Sequence, residues 1–264
     1  LPQGTLADDG SGIRLGQSVG GGAESLGRMN LTKSITPPGA FAGGLVVDSA
    51  GRRFINEEAY SGTLGQAVVE QAGGKAWLII DSAQRSKGLR ESLPKKGGYP
   101  FMFFGLPVIA NLLVGTKSAR SLDSLAVKCG IDPVGLTASV KTYNDAIAND
   151  VKDEFGKNPN VRKALTGKRY YAINISLKNQ LSPSPVFSLG GLTVDERDSM
   201  VRRDDGSRIE GLYAAGRNAI GLPSKTYVSG LAIADCVFSG RRAGRAAAEQ
   251  TDNQVPSLGD RAIH

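Results

Sequence analysis

The chain has 264 residues, of which 40% are hydrophobic and 35 are glycine. This length is enough for one large domain or two smaller ones, and the apolar content excludes a disordered chain. The many glycines indicate a loop-rich α/β protein. Cys129 and Cys236 lie in helix-like contexts, so we expect small buried residues of a reduced compartment, with a bridge between them as the open alternative.

The formal net charge is +7. Part of the excess lies in Arg241, Arg242 and Arg245, where a solvated helix face is the favoured interpretation and contact with anionic lipid is the alternative. Aromatic residues do not interleave with the basic ones, so we expect no nucleic acid as a partner. The chain starts in polar, glycine-rich sequence without a visible signal peptide, so we expect a cytoplasmic protein, with membrane association left open.

The first sixty residues predict a short helix and a hairpin. Acidic residues and Ser11 precede the periodic Ile13, Leu15 and Val19, which is typical of a helix start. Two short apolar runs flank the turn sequence Asp-Ser-Ala-Gly at residues 48–51 and predict a hairpin. The residues that follow the second run are polar, which is typical of a capped strand end.

The middle of the chain alternates predicted helices and strands. Residues 64–71 predict a helix, and residues 76–80 predict a strand that ends at Asp81 and places Trp77 in the core. Residues 121–151 predict helices with apolar stripes and a helix start at Asp132-Pro133.

The most apolar stretch, YPFMFFGLPVIANLLVG, covers residues 99–115. Its length is marginal for a membrane span, and Gly105-Leu106-Pro107 interrupts it. We expect a cavity wall with partial surface exposure. The alternative is a hydrophobic lip that dips into a bilayer and admits an apolar ligand.

Residues 211–248 carry the strongest local pattern. Residues 212–215 predict a buried strand ended by Gly216, a Gly/Pro/Ser-rich loop covers 221–230, and residues 231–248 predict one helix with Ser229-Gly230 at its N-cap. Unpaired N–H groups and the helix dipole make such a helix start attractive to negative charge. The predicted apolar stripe consists of Leu231, Ala234, Val237, Phe238, Ala243 and Ala246.

The segment GLYAAGR…SGLAIADCVFSGRRAGRAAA resembles the C-terminal flavin-binding segment of the fumarate reductase/3-ketosteroid dehydrogenase flavoprotein family. The resemblance extends to GRRFINE (51–57), AWLIID (76–81) and SLDSLAVKCGIDPVGLTASVKTYNDAI (121–147). It implies FAD and an α/β (α+β) fold, the C-terminal part of a two-domain flavoprotein whose cap or substrate domain is inserted into an incomplete Rossmann-like FAD-binding domain. The expected division is 1–29 for the end of the first FAD-domain segment, 30–165 for the cap, 166–250 for the returning FAD-domain segment and 251–264 for the tail. A further strand, at residues 168–173, is implied by the same resemblance.

The family's G-x-G-x-x-G fingerprint and the acidic residue after it are absent from the sequence. In the family both lie N-terminal to everything present here. We therefore expect this chain to be the C-terminal part of a larger flavoprotein, with an N-terminal FAD-binding segment as its partner.

The resemblance also implies site residues. Expected FAD contacts are Gly190, Gly191, Gly216, Arg217, Asn218, Ser229, Gly230, Leu231, Ala232 and Ile233, with the glycine pair letting the backbone approach the flavin. Expected catalytic residues are Tyr227, Ser229, Gly230 and Tyr60. Tyr227 and the Gly230 N–H match donors to a ketone oxygen in Δ1 enzymes, whereas a Tyr–Ser pair that moves the proton resembles Δ4-(5α) enzymes. Alternatives are an N-cap role for Ser229 and simple packing for Tyr60, which stands near the place of a fumarate reductase arginine.

The segment SPSPVFSLGGL (182–192) departs from fumarate reductases, which carry histidine and threonine before the Gly-Gly pair. The only histidine is His264, so neither a metal cluster nor a Ser-His-Asp set is expected. A wall without charge suits an apolar substrate and not a dicarboxylate.

We therefore predict FAD-dependent dehydrogenation of a 3-ketosteroid or similar apolar ketone, Δ4-(5α)-like in preference to Δ1-like, with an electron acceptor as a further partner. One alternative is a fumarate reductase-like flavoprotein acting on another enone. The other is a non-catalytic fragment or subunit that needs a separate FAD-binding chain.

Overall fold

The computed structural model describes residues 4, 8–94, 102, 105–224 and 227–254. Its α-helices are α1 (Ser11–Ser18), α2 (Ser61–Glu70), α3 (Ser82–Glu91), α4 (Gly105–Ala110), α5 (Leu122–Cys129), α6 (Pro133–Ala148) and α7 (Leu231–Gln254). Its strands are β1 (Ala23–Glu24), β2 (Met29–Leu31), β3 (Leu45–Val47), β4 (Trp77–Asp81), β5 (Thr116–Ala119), β6 (Tyr170–Asn174), β7 (Val186–Ser188), β8 (Gly191–Leu192), β9 (Met200–Arg202) and β10 (Arg208–Tyr213). Helices and open sheets together agree with the predicted α/β (α+β) class.

The chain divides into two compact units. The first unit is Leu31–Pro185, and the second is formed by the two ends of the chain, up to Asn30 and from Val186 onward. The strand predicted at 168–173 is β6, which pairs with both β4 and β5 inside the sheet of the first unit. Because these hydrogen bonds hold β6 in that sheet, the division falls after Pro185, whereas the sequence-based boundary falls after residue 165.

The first unit is built on an antiparallel sheet with the strand order β3-β4-β6-β5. Strand β4 is buried along its whole length because its alternate side chains enter two different cores. Leu78 and Ile80 enter a core with α2, whereas Trp77 and Ile79 enter a core with α5 and α6. The predicted core position of Trp77 is confirmed.

Polar caps fix the helices of the first unit. Asp81 ends β4 and accepts the N–H groups of Ala83 and Gln84, so it caps α3 in a capping box. Asp132 accepts two N–H groups at the start of α6, with Pro133 as the first helical residue. This confirms the helix start predicted at Asp132-Pro133. The predicted hairpin is present in a short form, since Val47 bridges to Arg53.

The apolar stretch at 99–115 is described at residue 102 and from Gly105 onward; its remaining residues lie outside the described residues. Helix α4 continues into a π-helical segment, Asn111–Gly115. Leu112 joins the core beside the sheet, whereas Leu113 and Val114 are exposed. The described part therefore shows the expected partial surface exposure. Of the helices in the described ranges, none has the length and apolarity that crossing a bilayer requires.

The second unit contains the β9–β10 hairpin and α7. The hairpin turns at Asp204-Asp205-Gly206, with Gly206 at φ +84 and the N–H of Arg203 bonded to the carbonyl of Ser207. The prediction of a buried strand at 212–215 is wrong, because β10 ends at Tyr213 and lies in a two-stranded sheet that leaves it partly exposed. Gly216 instead begins a 3-10 turn that runs to Asn218.

Two composition-based expectations need correction. Cys129 and Cys236 are free thiols, and Cys236 is exposed, so the buried-residue prediction is wrong for Cys236. Cys129 is half-buried, and this burial raises the pKa of its thiol to about 11. Arg242 is not simply solvated, because it donates to the hydroxyl of Ser199 (2.8 Å) and the carbonyl of Glu196 (2.6 Å).

Candidate functional site

The N-terminus of α7 is the centre of the predicted site. The helix begins at Leu231, and the carbonyl of Gly230 accepts the N–H of Ala234 at 3.2 Å, so Gly230 is the N-cap and the N-cap interpretation of Ser229 is wrong. Gly230 has φ +88, which favours glycine, and among the described residues a Cβ added there would meet nothing within 4 Å. The N–H groups of Ala232 and Ile233 follow in the first turn, where a helix offers them no internal acceptor. The space in front of this helix start is therefore open and lined with donors.

The buried face of α7 is polar near its start. Asp235, Ser239 and Ala243 are its buried residues in the first three turns. The hydroxyl of Ser239 accepts the N–H of Gly216 at 2.9 Å and donates to the carbonyl of Asp235 at 2.6 Å. A carboxylate oxygen of Asp235 accepts the N–H of Leu222 at 3.4 Å. These bonds attach the Gly216 turn and the following loop to the helix.

The apolar face of α7 is exposed. Ile233, Val237 and Phe238 are exposed by 74%, 57% and 59%. Of the six residues in the predicted apolar stripe, only Ala243 is buried. The stripe prediction is wrong because the inward face is used for hydrogen bonds to neighbouring loops, which leaves the larger apolar side chains in solvent.

A small cavity of about 30 Å³ lies beside α7 within the second unit. Four predicted FAD contacts share its lining: Gly190, Gly216, Arg217 and Ala232. It is far smaller than the several hundred Å³ of a typical ligand pocket, so it is a depression in one wall and not an enclosing site. Its other lining residues are Phe187, Ser188, Leu189, Ala219, Pro223, Ser224, Asp235 and Cys236.

Gly190 and Gly191, the predicted glycine pair, are both required by close backbone packing. A Cβ on Gly190 would lie 2.4 Å from the backbone of Ser25, and one on Gly191 would lie 2.6 Å from the backbone of Ala219. The need for glycine here therefore already follows from contacts within the chain, which the sequence did not indicate. Asn218 is placed against Gly12, where an added Cβ would come within 2.8 Å of the amide group.

An aromatic pair holds Tyr227. The rings of Phe187 and Tyr227 meet edge to face with centroids 4.6 Å apart and an interplanar angle of 84°. The guanidinium of Arg217 lies over the same Phe187 ring at 5.3 Å. Arg217 and Asp235 line the depression beside the uncharged residues 187–190. Tyr227 is half-buried and Ser229 is exposed.

Tyr60 belongs to the first unit. It is the residue before α2, and its carbonyl accepts the N–H of Leu64 at 2.9 Å. Its side chain is 38% exposed. The backbone role fixes the start of α2 and leaves part of the ring in solvent.

Four charged side chains form a buried network that the sequence did not predict. Arg53 bonds to the carboxylates of Glu57 (2.8 Å) and Asp153 (2.7 Å), and Lys157 bonds to Glu57 at 2.7 Å. The Arg53 guanidinium also lies over the ring of Tyr143 at 5.3 Å. These residues come from GRRFINE and from the segment 153–157, so the charges inside two recognised motifs were the available signal.

In this network, burial and ion pairing shift the pKa values of the charged groups in opposite directions. Burial alone lowers the pKa of Arg53, but the hydrogen bonds that it donates to Glu57 and Asp153 outweigh burial and raise that pKa. Burial raises the pKa of Asp153, yet its hydrogen bonds from Arg53 and the backbone hold it below the ordinary value. For Lys157 burial dominates and lowers the pKa despite the contact with Glu57.

The wall around α7 has the open space and the hydrogen-bond donors that a flavin ring system needs along one of its sides. The space in front of Gly230 is open, and a Cβ at this position would occupy part of it. The first-turn N–H groups of α7 and the side chain of Arg217 provide hydrogen-bond donors on the same wall. The residues present therefore fit a flavin along one face.

Comparison with known proteins agrees with a flavin-binding protein. The chain matches the sequence profile of the FAD binding domain family over residues 24–227, which is more than half of its length. The chain therefore belongs to this family of FAD-binding proteins.

Two curated relatives are similar to the chain. It is 39% identical over 213 residues to the 3-oxo-5-alpha-steroid 4-dehydrogenase of Comamonas testosteroni, a match that covers 81% of this chain and 40% of that protein. It is 28% identical over 248 residues to a fumarate reductase (cytochrome) of Shewanella frigidimarina, covering 91% and 39%. The chain thus spans about two fifths of the length of these relatives.

A solved structure has the same fold. The crystal structure of 3-ketosteroid-delta4-(5alpha)-dehydrogenase from Rhodococcus jostii RHA1, in complex with 4-androstene-3,17-dione, is similar with a TM-score of 0.73 and 26% identity. The match covers 91% of this chain and 45% of that chain.

Proposed function

We propose that this chain takes part in FAD-dependent dehydrogenation of a 3-ketosteroid or similar apolar ketone, in the manner of a Δ4-(5α) enzyme in preference to a Δ1 enzyme. The observation that carries the proposal is the Phe187–Tyr227 ring pair beside the start of α7. This pair holds the phenol of Tyr227 close to the start of α7, where backbone N–H groups are free, and places the apolar ring of Phe187 next to it. The similarity to a steroid 4-dehydrogenase supports the choice of substrate class.

The proposed chemistry removes a proton and a hydride from adjacent carbons of the ketone. Bound FAD supplies the acceptor for the hydride. Tyr227 donates a hydrogen bond to the ketone oxygen, assisted by the N–H of Gly230, and so stabilises negative charge that develops there. Ser229, two residues after Tyr227 and exposed, carries the proton away. Tyr60 is proposed as a further site residue from the cap.

The two units take the two roles that the resemblance implies. The second unit is proposed to bind FAD through Gly190, Gly191, Gly216, Arg217, Asn218, Ser229, Gly230, Leu231, Ala232 and Ile233. The first unit is proposed to be the cap. The cavity lining shared by four of the ten FAD residues supports this assignment.

A further FAD-binding segment is proposed to cover the exposed face of α7. Ile233, Val237 and Phe238 form a contiguous apolar surface on one helix, which proteins normally bury. The similar curated proteins are more than twice as long as the match, so they contain enough chain to supply such a cover. Visible absorbance of bound flavin in the purified chain alone would favour the flavoenzyme. A colourless chain that captures a partner in a pull-down would favour a subunit that needs a separate FAD-binding chain.

The second candidate function is that of a fumarate reductase-like flavoprotein acting on another enone. The position of Arg217 on the cavity wall favours it, because a guanidinium pairs well with a carboxylate on a substrate. An electron acceptor is a required partner in the dehydrogenase, whereas a reductase requires a donor.

Peripheral membrane contact is a further proposal, supported by the exposed Leu106, Leu113 and Val114 in the first unit. Co-sedimentation with anionic vesicles tests it, with Leu113→Asp as the variant expected to lose binding. Sedimentation that is equal for both proteins would contradict this contact.

The substrate class is tested with the full-length flavoprotein in a dye-coupled assay. We expect electrons to pass to the dye with 3-ketosteroids as substrates. In a parallel assay with a reduced dye, we expect no oxidation of that dye by fumarate. Turnover of fumarate alone would overturn the proposal and favour the reductase.

A further inference from the structure

A cavity of about 410 Å³ lies within the first unit, in the size range of small-molecule sites. It is formed by the 3-10 turn Gly39–Gly43, the start of α3 and the loop at 160–166. None of its lining residues is among those proposed above for flavin binding or ketone chemistry. The lining residues are Gly39, Ala40, Gly43, Asp81, Ala83, Gln84, Lys87, Asn160, Val161, Lys163, Ala164 and Thr166.

Gln84 lines this cavity and carries a buried, unused donor. The residue is 6% exposed, and its side-chain oxygen accepts the N–H of Asp81 at 3.1 Å. That bond is half of the α3 capping box, so it fixes which end of the amide is the oxygen and which is the NH₂ group. Within the described residues Nε2 has no hydrogen-bond partner, and it lies 3.0 Å from where a Cβ on Gly43 would be.

A buried donor without a partner is unusual because it loses its bonds to water on folding. An acceptor atom in the cavity would satisfy it. Gly43 contributes by lacking a side chain, since a Cβ there would crowd the amide nitrogen.

The charges around the cavity favour an anionic acceptor. Lys87 and Lys163 both line it. The Asp81 carboxylate is already occupied, because it accepts the N–H groups of Ala83, Gln84 and Gly167. The same carboxylate caps the positive end of α3, so the two lysines carry the positive charge of the lining.

A nearby carboxylate does not reverse this balance. Glu91 accepts the N–H of Ala40 at 2.9 Å and lies 3.8 Å from Lys87, so its charge is directed at groups of the chain. Ala40, Val161 and Ala164 make part of the lining apolar, which suits the body of an organic molecule.

We propose that this cavity binds a small organic anion. Its carboxylate or phosphate oxygen accepts a hydrogen bond from Nε2 of Gln84. Lys163 and Lys87 neutralise its charge, and its apolar body lies against Ala40, Val161 and Ala164.

The test is calorimetric titration of the protein with two probes, benzoate and inorganic phosphate. Gln84→Glu keeps an oxygen for the Asp81 N–H, and a glutamate also completes a capping box, but it replaces the NH₂ donor by a negative charge. Lys163→Glu removes one cation from the lining. Lys75→Glu makes the same charge change at an exposed lysine outside the lining and is the matched control.

We expect the wild type and Lys75→Glu to bind at least one probe equally, and Gln84→Glu and Lys163→Glu to bind it at least about tenfold more weakly. Binding of benzoate alone identifies a carboxylate ligand, and binding of phosphate alone identifies a phosphorylated one. Thermal melts of each variant verify that the fold is intact. Failure of the wild type to bind either probe at millimolar concentration, or unchanged binding by folded Gln84→Glu, would overturn the proposal.

Discussion

Lys33 tests how burial in the first unit changes the pKa of a charged side chain. Its side chain is fully buried, and its ammonium bonds to the carbonyls of Ser176 and Ser182 and to the hydroxyl of Ser184. In the part of the chain that the structure describes, it has no carboxylate partner within ion-pair distance. Burial lowers the pKa of Lys33 from 10.5 to about 8.

This shift makes stability depend on pH with a definite sign. Below pH 8 the ammonium is protonated in both the folded and the unfolded chain, so the cost of burying it is fully present. As the pH rises through 8, the folded chain releases the proton while the unfolded chain keeps it up to about 10.5, so the free energy of unfolding rises. Between about pH 7 and about pH 10 the shift is worth about 2.5 kcal/mol, at about 1.4 kcal/mol per pKa unit.

The measurement is urea unfolding of the wild type and Lys33→Met at both pH values, followed by fluorescence of Trp77, the single tryptophan. Other titrating groups are common to both proteins and cancel in their difference. We expect the stability of the wild type relative to Lys33→Met to rise by about 2.5 kcal/mol at the higher pH. Lys75→Met, at an exposed lysine, should show no such change. A difference that is flat or falls with pH would refute the assignment of a depressed pKa to this lysine.

Other predictions concern single contacts and are measured by the same unfolding experiment. Glu57→Gln leaves two buried cations with one carboxylate and should lower the free energy of unfolding by about 3 kcal/mol. Glu70→Gln on the surface should change it by no more than about 0.5 kcal/mol. Equal effects of the two substitutions would contradict the buried network. Gly240→Ala adds a Cβ that meets nothing within 4 Å in α7, so it should stabilise by about 1 kcal/mol. Gly216→Ala should destabilise by about 1–3 kcal/mol, because φ is +57 and the new Cβ would lie 2.9 Å from Cys236 Sγ; a neutral result would refute the strain at this turn.

The helices and strands of the first unit were largely predictable because each carries a strong local signal. Asp132-Pro133 combines an N-cap with a favoured first residue, and the apolar run at 76–80 ends in a capping aspartate. The buried network of Arg53, Glu57 and Lys157 was not predictable in the same way. Arg53 and Glu57 are four residues apart, but Lys157 lies a hundred residues after Glu57, and only the fold brings their charges together.

The helix at the candidate site was predictable, but the packing of its side chains was not. The helix at 231 is present, yet its larger apolar residues face solvent and its polar Asp235 and Ser239 face inward. Periodicity identifies a helix and an amphipathic face, but it does not say which neighbouring loop needs hydrogen bonds from that helix. Likewise Gly190 is required by the backbone of Ser25, a contact that no local pattern indicates.

The central claim, that Tyr227 acts on a ketone, is tested most directly by Tyr227→Phe in the full-length flavoprotein. The substitution keeps the ring that packs on Phe187 and removes only the hydroxyl. The matched control is Tyr213→Phe, whose hydroxyl bonds to the side chain of Gln250. With a 3-ketosteroid and an artificial electron acceptor, the account predicts that kcat falls by about 10²–10³-fold for Tyr227→Phe and stays near the wild-type value for Tyr213→Phe. Unchanged kcat in a folded, flavin-containing Tyr227→Phe protein would contradict it.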